Sequence, residues 1–445
     1  MAAQPAAPTA AARSPAYAKS ILKVLFISLL FDLLSFTLIL PLFPRLLDFY
    51  KAQPNNVVLE SIFNTLNAFK ASFHRPISSR FDVVLLGGAL GSLFSFLQAV
   101  SSPIIGSLSD RYGRRTALLY SMIGNILSVL LWVAATDFPT FLASRVVGGL
   151  SEGNVQLAIA IATDVSTAET RGATLALVGV AFSIAFTFGP MMGAYLASKT
   201  LALTISEKNP FVTAALFSLG LLVVETAFLY WKLPETRPLR DAAEKEEEKK
   251  KKMTVAEEKT TAEKARSDAA GITLLNATHL LFLLIFSGME FSLPFMTFDL
   301  FNYTSTDSGK LLGFIGLLAS VLQGSFVRRA KPALVVKTGL TSAAISFFLL
   351  SRVNSQRELY VAAAFLAVTS ACVVTGLTAL VSLKIGEQER GRVLGGFRSA
   401  GQIGRATGPL LFCTLYWWAG RETAYVVGGT GMVGVATLVW RGLGK

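Results

Sequence analysis

The sequence predicts an all-α membrane protein of twelve transmembrane helices, arranged as two pseudo-symmetric six-helix bundles. Three observations predict it. Of the 445 residues, 52% are hydrophobic and only 16% charged, where soluble domains carry about a quarter charged. Apolar runs close to the roughly 20 residues needed to cross a bilayer recur twelve times along the chain. Unrelated markers in the first half recur in the second at nearly one offset.

Residues 1–21 are rich in Ala and Pro and carry Arg13 and Lys19. They lack the apolar core of a signal peptide and read as a disordered cytoplasmic tail. The first bundle covers 22–231, with spans near 22–44, 82–107, 116–135, 139–163, 173–197 and 211–231. Residues 45–81 read as a long polar loop on the outer side. Residues 232–271 hold the run Glu244 to Lys252, nine charged residues long, and read as a solvated, disordered linker. The second bundle covers 272–445, with spans near 273–297, 309–327, 334–351, 358–383, 394–418 and 423–441.

The formal charge of +13 does not point to nucleic acid, because the basic residues stand between apolar runs. Lys and Arg concentrate in the segments on the side of the N-terminus, so the positive-inside rule places both termini and the linker in the cytoplasm. Cys372 and Cys413 lie inside apolar runs and read as packing residues. His74 and His279 are too few and too far apart for a metal site. No G-x-x-x-x-G-K-[ST] loop occurs, which argues against ATP as the energy source. No cofactor is expected.

Arg171-Gly172 precedes Gly189-Pro190 in the fifth span, and Arg390-Gly391 precedes Gly408-Pro409 in the eleventh, at an offset of 219 residues. Gly106 and Arg111 recur as Gly324 and Arg329 at an offset of 218. Repeats of this kind place a site between the halves near mid-membrane, with access alternating as the halves rock.

Ionisable residues at that depth cost about 2.5–3.5 kcal/mol each on insertion scales and are functional candidates by default. Asp32 lies about ten residues, or roughly 15 Å, into its span. It is a proton or substrate site, or a structural hydrogen bond in a proline-weakened helix. Arg145 and Glu152 are two turns apart on one helix face, either lining a cavity or satisfying each other. Glu290 in the seventh span mirrors Asp32 across the pseudo-twofold. Glu225 in the sixth span reads as packing or snorkelling. Arg398, Gln402 and Arg405 form a stripe at i, i+4 and i+7. Their counterparts, Gly179, Ser183 and Phe186, carry no charge, so the scaffold repeats and the stripe does not. An arginine fork fits carboxylates, sulfates or phosphates; pairing with Glu152, Glu290 or Asp32, or Arg398 merely reaching the inner headgroups, is the alternative.

The loop after the second span reads Gly106-Ser-Leu-Ser-Asp110-Arg111-Tyr-Gly113-Arg114-Arg115. An Asp at that helix end opposes the helix dipole and should seek a cation or another helix. The loop resembles the signature of the major facilitator superfamily. Leu233-Pro234-Glu235-Thr236 is similar to a further family motif, as is Arg145 followed by Gly148-Gly149. Asp32 with Pro41 and Pro44, and Gly189-Pro190-Met-Met-Gly193, resemble bacterial tetracycline/proton antiporters, although Ala185 and Ala194 stand where that motif has Gly. The stretches Phe141 to Asn154, Phe286 to Glu290 and Gly395 to Ser399 resemble the eukaryotic tetracycline-transporter-like branch, with Glu152 where a basic residue is expected.

The resemblance implies a secondary active transporter of small organic molecules, organic anions above all, coupled to protons and not an enzyme. A cationic-drug/proton antiporter and a non-transporting receptor or scaffold are the alternatives. Together with the mid-membrane charges read above, this points to substrate contact at Arg398, Gln402, Arg405, Arg145 and Asn154, and proton coupling at Asp32, Glu152 and Glu290. Gating falls to Gly106, Asp110, Arg111, Gly113, Arg114, Arg115, Gly189 and Pro190. The partners it implies are a small-molecule substrate, protons and membrane lipid, without nucleic acid, for a monomer in the plasma membrane or an endomembrane such as a vacuole or lysosome.

Overall fold

The computed structural model describes residues 15–39, 42, 46, 49–53, 56–71, 82–167, 169–197, 209–236, 258–303, 305–385 and 390–442. All regular structure among them is helical. In chain order the helices are α1 (Pro15–Thr37), α2 (Val57–Ala71), α3 (Asp82–Tyr112), α4 (Arg114–Ala134), α5 (Phe138–Ser151), α6 (Asn154–Asp164), α7 (Arg171–Ala197) and α8 (Val212–Lys232) in the first half. The second half holds α9 (Glu258–Phe301), α10 (Ser305–Leu322, continued by a π-turn over Gln323–Val327), α11 (Pro332–Ser351), α12 (Gln356–Lys384), α13 (Arg390–Ala419) and α14 (Arg421–Gly442).

Ten of these helices are long and apolar enough to cross a membrane. Counting α5 and α6 as one broken span, and adding α13, gives the expected twelve. The two spans that fall short on length or apolarity carry most of the mid-membrane candidates, because a helix that presents polar groups inward cannot also be uniformly apolar.

Three expectations need correction. The fourth span is not one helix over 139–163: it breaks at Glu152 and Gly153, where the Gly153 N–H turns back to the Ser151 carbonyl at 2.8 Å. The outer segment 45–81 is not simply a polar loop. It contains α2, and its Tyr50 is buried with the hydroxyl on the Ala135 carbonyl at 3.1 Å. The linker's second part, from Glu258, is helical and continues into the seventh span. The disordered readings of residues 1–14 and 237–257 lie outside the described residues.

Each half has an apolar core, one drawn from α1 to α8 with Ala379 of α12 and the other from α9 to α14 with Ala160 of α6, and a smaller cluster joins Ala176 of α7 to Ala319 of α10 and Ala371 of α12. The repeated Gly-Pro marks a close helix crossing in both halves. A Cβ on Gly189 would meet the Thr37 hydroxyl, and one on Gly193 the Leu38 carbonyl, so α7 lies directly on α1. A Cβ on Gly408 would meet the Leu284 carbonyl and Ser287, and one on Gly404 the Leu280 carbonyl, so α13 lies directly on α9. Backbones approach this closely in membranes only where side chains are absent or small.

Gly408→Val should therefore destabilise the protein by about 1–3 kcal/mol through overpacking. Gly396→Val is the control for helix propensity, since nothing stands within 4 Å of its Cβ. Thermal unfolding of both variants in detergent checks this: Gly408→Val should unfold at a clearly lower temperature, and equal shifts would dismiss the crossing as its cause.

Candidate functional site

The break in the fourth span builds the polar centre of the first half. Glu152 ends α5 and Asn154 opens α6. Asn154 is thereby free to turn its amide onto α1, where Nδ2 donates to Asp32 Oδ1 at 2.8 Å. The same nitrogen lies 3.1 Å from Met122 Sδ. Glu152 Oε2 accepts from Asn125 Nδ2 of α4 at 3.3 Å. Both carboxyls thus stand at the N-terminus of α6, the helix end whose dipole favours negative charge. Asp32 is only 3% exposed, and its Oδ2 has no hydrogen-bond partner among the described residues.

Arg145 and Glu152 do not pair. Arg145 packs over the rings of Phe141 and Trp132, 5.5 and 5.9 Å from their centroids, and its Nε donates to Ser144 Oγ at 3.2 Å. Asp32, Asn125, Arg145 and Glu152 line one cavity of about 40 Å³, with Ser35, Ser218 and Leu222 among its other walls. That is room for water, for which about 10–15 Å³ suffices, and too little for an organic molecule.

In the second half α13 has four distinct edges. Gly401, Gly404 and Gly408 lie against α9, and Gly395 and Ser399 lie against α3, with Ser399 Oγ on the Ala99 carbonyl at 2.6 Å. Ile403 is exposed toward lipid. At 100° per residue Arg398 and Arg405 fall on the side away from Ile403, with Gln402 beside them, and Arg398 faces Glu152 and Asp32 of the first half. Arg405 Nη2 donates to Glu290 Oε2 of α9 at 3.1 Å, with the two side chains 37% and 46% exposed. Gln402 is buried with Oε1 unpaired. Arg398 is half-buried and has neither a hydrogen bond nor an ion pair among the described residues. The charges that act on it are Glu152 and Asp32 across the gap and Arg405 on its own helix.

The halves lock together on the face where α1 begins. Asp164, at the end of α6 and 1% exposed, accepts from Arg114 Nε and from Arg390 Nη1, each at 3.0 Å. Asp110 meets Arg114 at 2.7 Å and accepts from the Arg392 backbone N–H of α13 at 2.8 Å. Arg171 Nη1 donates to the Ser382 carbonyl near the end of α12 at 2.8 Å. The repeated Arg-Gly is therefore a reciprocal latch: Arg171 reaches from the first half into the second, and Arg390 from the second into the first.

The motif around Asp110 divides into parts with separate tasks. Gly106 accepts from Ser109 Oγ at 2.7 Å. Gly113 sits at φ +103, a conformation open to Gly, and the Glu235 carboxylate packs where a Cβ would stand. Glu235 Oε1 then accepts the Arg114 N–H at 2.9 Å, capping α4. Arg115 Nη2 donates to the Tyr230 carbonyl of α8 at 2.6 Å. Arg111, half a turn away, lies over the Tyr112 ring. Pro190 is internal to α7 beside the Gly189 crossing.

The sequence profile described as Major Facilitator Superfamily matches residues 25–409. The chain belongs to the major facilitator superfamily. Membership makes it a multi-pass membrane transporter and not an enzyme. It is similar to the mouse major facilitator superfamily domain-containing protein 10, at 33% identity over 93% of this chain and 91% of that protein. It is also similar to the class B tetracycline resistance protein of Escherichia coli, at 25% identity over 75% and 80% of the two chains. The solved structure of the human organic anion transporter MFSD10 matches with a TM-score of 0.82 at 31% identity, covering 96% of this chain and all of that one. The proton:xylose symporter XylE of E. coli, at 15% identity and a TM-score of 0.66 over 96% of each chain, shares the fold.

One residue of this arrangement escapes sequence reasoning, and for another the structure removes one of two readings. Asp164 joins both halves yet carries no spacing signature. Glu225 is not snorkelling: it is wholly buried. Neutralising Asp164 leaves Arg390 and Arg114 short of a buried partner, a change that typically costs about 3–5 kcal/mol. Asp164→Asn should therefore open the α1 face further than Asp110→Asn, whose carboxyl is 14% exposed. Thiol labelling of a cysteine introduced at buried Leu394, in a background lacking Cys372 and Cys413, reads this out. Labelling should rise in both variants and more in Asp164→Asn; the reverse order would make Asp110 the principal latch.

Proposed function

We propose that the protein is a secondary active transporter of small organic anions, working by alternating access and coupled to protons, with both termini and the α1 face in the cytoplasm and the monomer as the working unit. The observation that carries this reading is Arg398. It is a mid-membrane guanidinium that faces the space between the halves without an ion-pair partner among the described residues, opposite two buried carboxyls. A buried cation needs a negative partner during the cycle, and a fork of donors suits a carboxylate, sulfate or sulfonate. The human relative called an organic anion transporter supports the same substrate class.

Coupling follows from competition. An ionised Glu152 and a substrate anion both draw on Arg398, whereas a protonated Glu152 leaves the guanidinium to the substrate. Proton and anion thereby reinforce each other's binding by the same factor. Asp32, tied to Glu152 through the α6 terminus, shares this role. Arg405 is held by Glu290 and contributes positive field, while Asn154 orients Asp32. In the conformation described here the α1 face is latched. The alternative, a cationic-drug antiporter, would use Asp32 and Glu152 as the substrate contacts. The tetracycline resistance relatives favour it, and the uncovered Arg398 opposes it.

Arg398→Gln should weaken binding of naphthalenesulfonate about ten- to hundredfold, the loss of a charge-assisted hydrogen bond, and leave the neutral naphthalenesulfonamide almost unchanged. Arg398→Lys should rescue little, since it keeps the charge and loses the fork. Arg405→Gln should cost less, because Glu290 already occupies Arg405. Affinities of the purified variants for the matched pair decide this, and equal losses for both ligands would remove the anion site.

Asp32→Asn should abolish naphthalenesulfonate uptake driven by a pH gradient in proteoliposomes, while exchange of labelled for unlabelled probe at equal pH continues. Undiminished gradient-driven uptake would take Asp32 off the proton path.

A further inference from the structure

A polar seam runs between α1 and α8, inside the first half and away from the space between the halves. On α1 it consists of Ser28, Asp32 and Ser35, all buried and spaced i, i+4 and i+7. On α8 it consists of Ser218 and Glu225, also buried and seven residues apart. Ser28 Oγ donates to Glu225 Oε1 at 2.6 Å, and Ser35 Oγ meets Ser218 Oγ at 2.5 Å. The two pairs keep one antiparallel register, so the seam is built by both helices along about 10 Å of their length. Asp32 lies between them, and the small cavity that it lines with Ser35, Ser218 and Leu222 reaches within one turn of Glu225.

Glu225 is 0% exposed, and its Oε2 has no hydrogen-bond partner among the described residues. The charged groups that face it are Asp32 on α1 and Glu152 at the helix break, both carboxyls. The other helices packed on α8 offer no relief. The charges of α4 are Arg114 and Arg115, engaged by Asp110, Asp164 and Tyr230, and the only charge of α7 is Arg171, engaged by Ser382. Lys19 and Lys23 of α1 are exposed at its beginning. Among the described residues, a negative charge on Glu225 would have two like neighbours and no cation. Packing alone does not require a carboxyl at this place, because a leucine would fill it without the desolvation cost.

We propose that Glu225 is a second proton-holding site of the transporter, exchanging its proton with Asp32 through the Ser28 hydroxyl. Ser28 and Asp32 are one turn apart on the buried face of α1. A proton leaving Asp32 bonds to Ser28 Oγ as the hydroxyl's own proton passes to Glu225, so Ser28 ends neutral and no bond other than O–H changes. The proton then rests inside the first half while the substrate enters or leaves between the halves. The proposal rests on the proton-coupled reading of the central site and names where that proton can go.

Infrared spectroscopy of the full chain in lipid tests the site without any substrate. A protonated carboxyl has a C=O stretch that a carboxylate lacks. Glu225→Gln should remove one such band, and Ser28→Ala, a small change that keeps the fold, should shift the same band by removing its hydrogen bond. In proteoliposomes, naphthalenesulfonate accumulation under a pH gradient should fall at least tenfold in Glu225→Gln relative to exchange at equal pH. A full set of carboxyl bands in Glu225→Gln would overturn the proton site, and undiminished accumulation would overturn the relay. Absence of gradient-driven accumulation in the unmodified protein would defeat the coupling reading and the relay with it, while the infrared band would separately decide whether Glu225 carries a proton.

Discussion

Inside hydrocarbon an ionised side chain must meet a partner or water, and the cost of failing to do so is several kcal/mol. Most of the charged groups within this bundle stand where that requirement puts them. Arg114 lies between Asp110 and Asp164, Arg390 on Asp164, Arg405 on Glu290, and Arg145 on two aromatic rings. Asp32 and Glu152 gather at a helix N-terminus that only a broken span can supply. Arg398 is the group left over, and its position between the halves gives the protein its reason to bind something negative. Latch and site are two outcomes of one electrostatic demand, met within the protein in the first case and left to a ligand in the second.

The twelve spans and the duplication are legible in the sequence because lipid imposes length and apolarity on every crossing, and because two copies retain the same Arg-Gly and Gly-Pro. What those repeated residues do is not legible, since a close crossing and a latch are contacts between segments far apart in the chain. The break at Glu152 and Gly153 does leave a mark, the run Ser151-Glu-Gly-Asn154 after Gly148-Gly149, but its signal is masked by the apolar residues of a span long enough to cross the bilayer in one helix. The linker's helical second part was hidden by its charge. Its Glu, Ala, Lys and Arg residues are good helix formers, and the seventh span gives the helix a nucleus to extend.

Within the site, the basic stripe is readable because its counterparts in the fifth span are uncharged, a comparison that needs only the offset. The pairing of Arg405 with Glu290 stands among the sequence alternatives, whereas the isolation of Arg398 requires coordinates. Asp164 could not be found from spacing, since its two arginines come from different halves. Glu225 was within reach. Its seven-residue separation from Ser218 matches that of Ser28 from Ser35, a match that gains meaning once the two helices are known to pack antiparallel.

The reciprocal latch has a consequence for how such a molecule is assembled. A contact in which a residue of one unit grips the equivalent end of the other, and is gripped in return, has the form of an isologous dimer interface. In a dimer of six-helix units a single arginine would close both sides of the contact at once. Joined in one chain, the two copies are free to diverge, and two of their bonds have: Arg171 donates to the main-chain carbonyl of Ser382, while Arg390 donates to the carboxylate of Asp164. The first bond does not respond to side-chain substitution at its acceptor and the second does. These two bonds are thereby unlike, one set by the main chain and the other by a side chain, a difference that a true twofold axis would forbid.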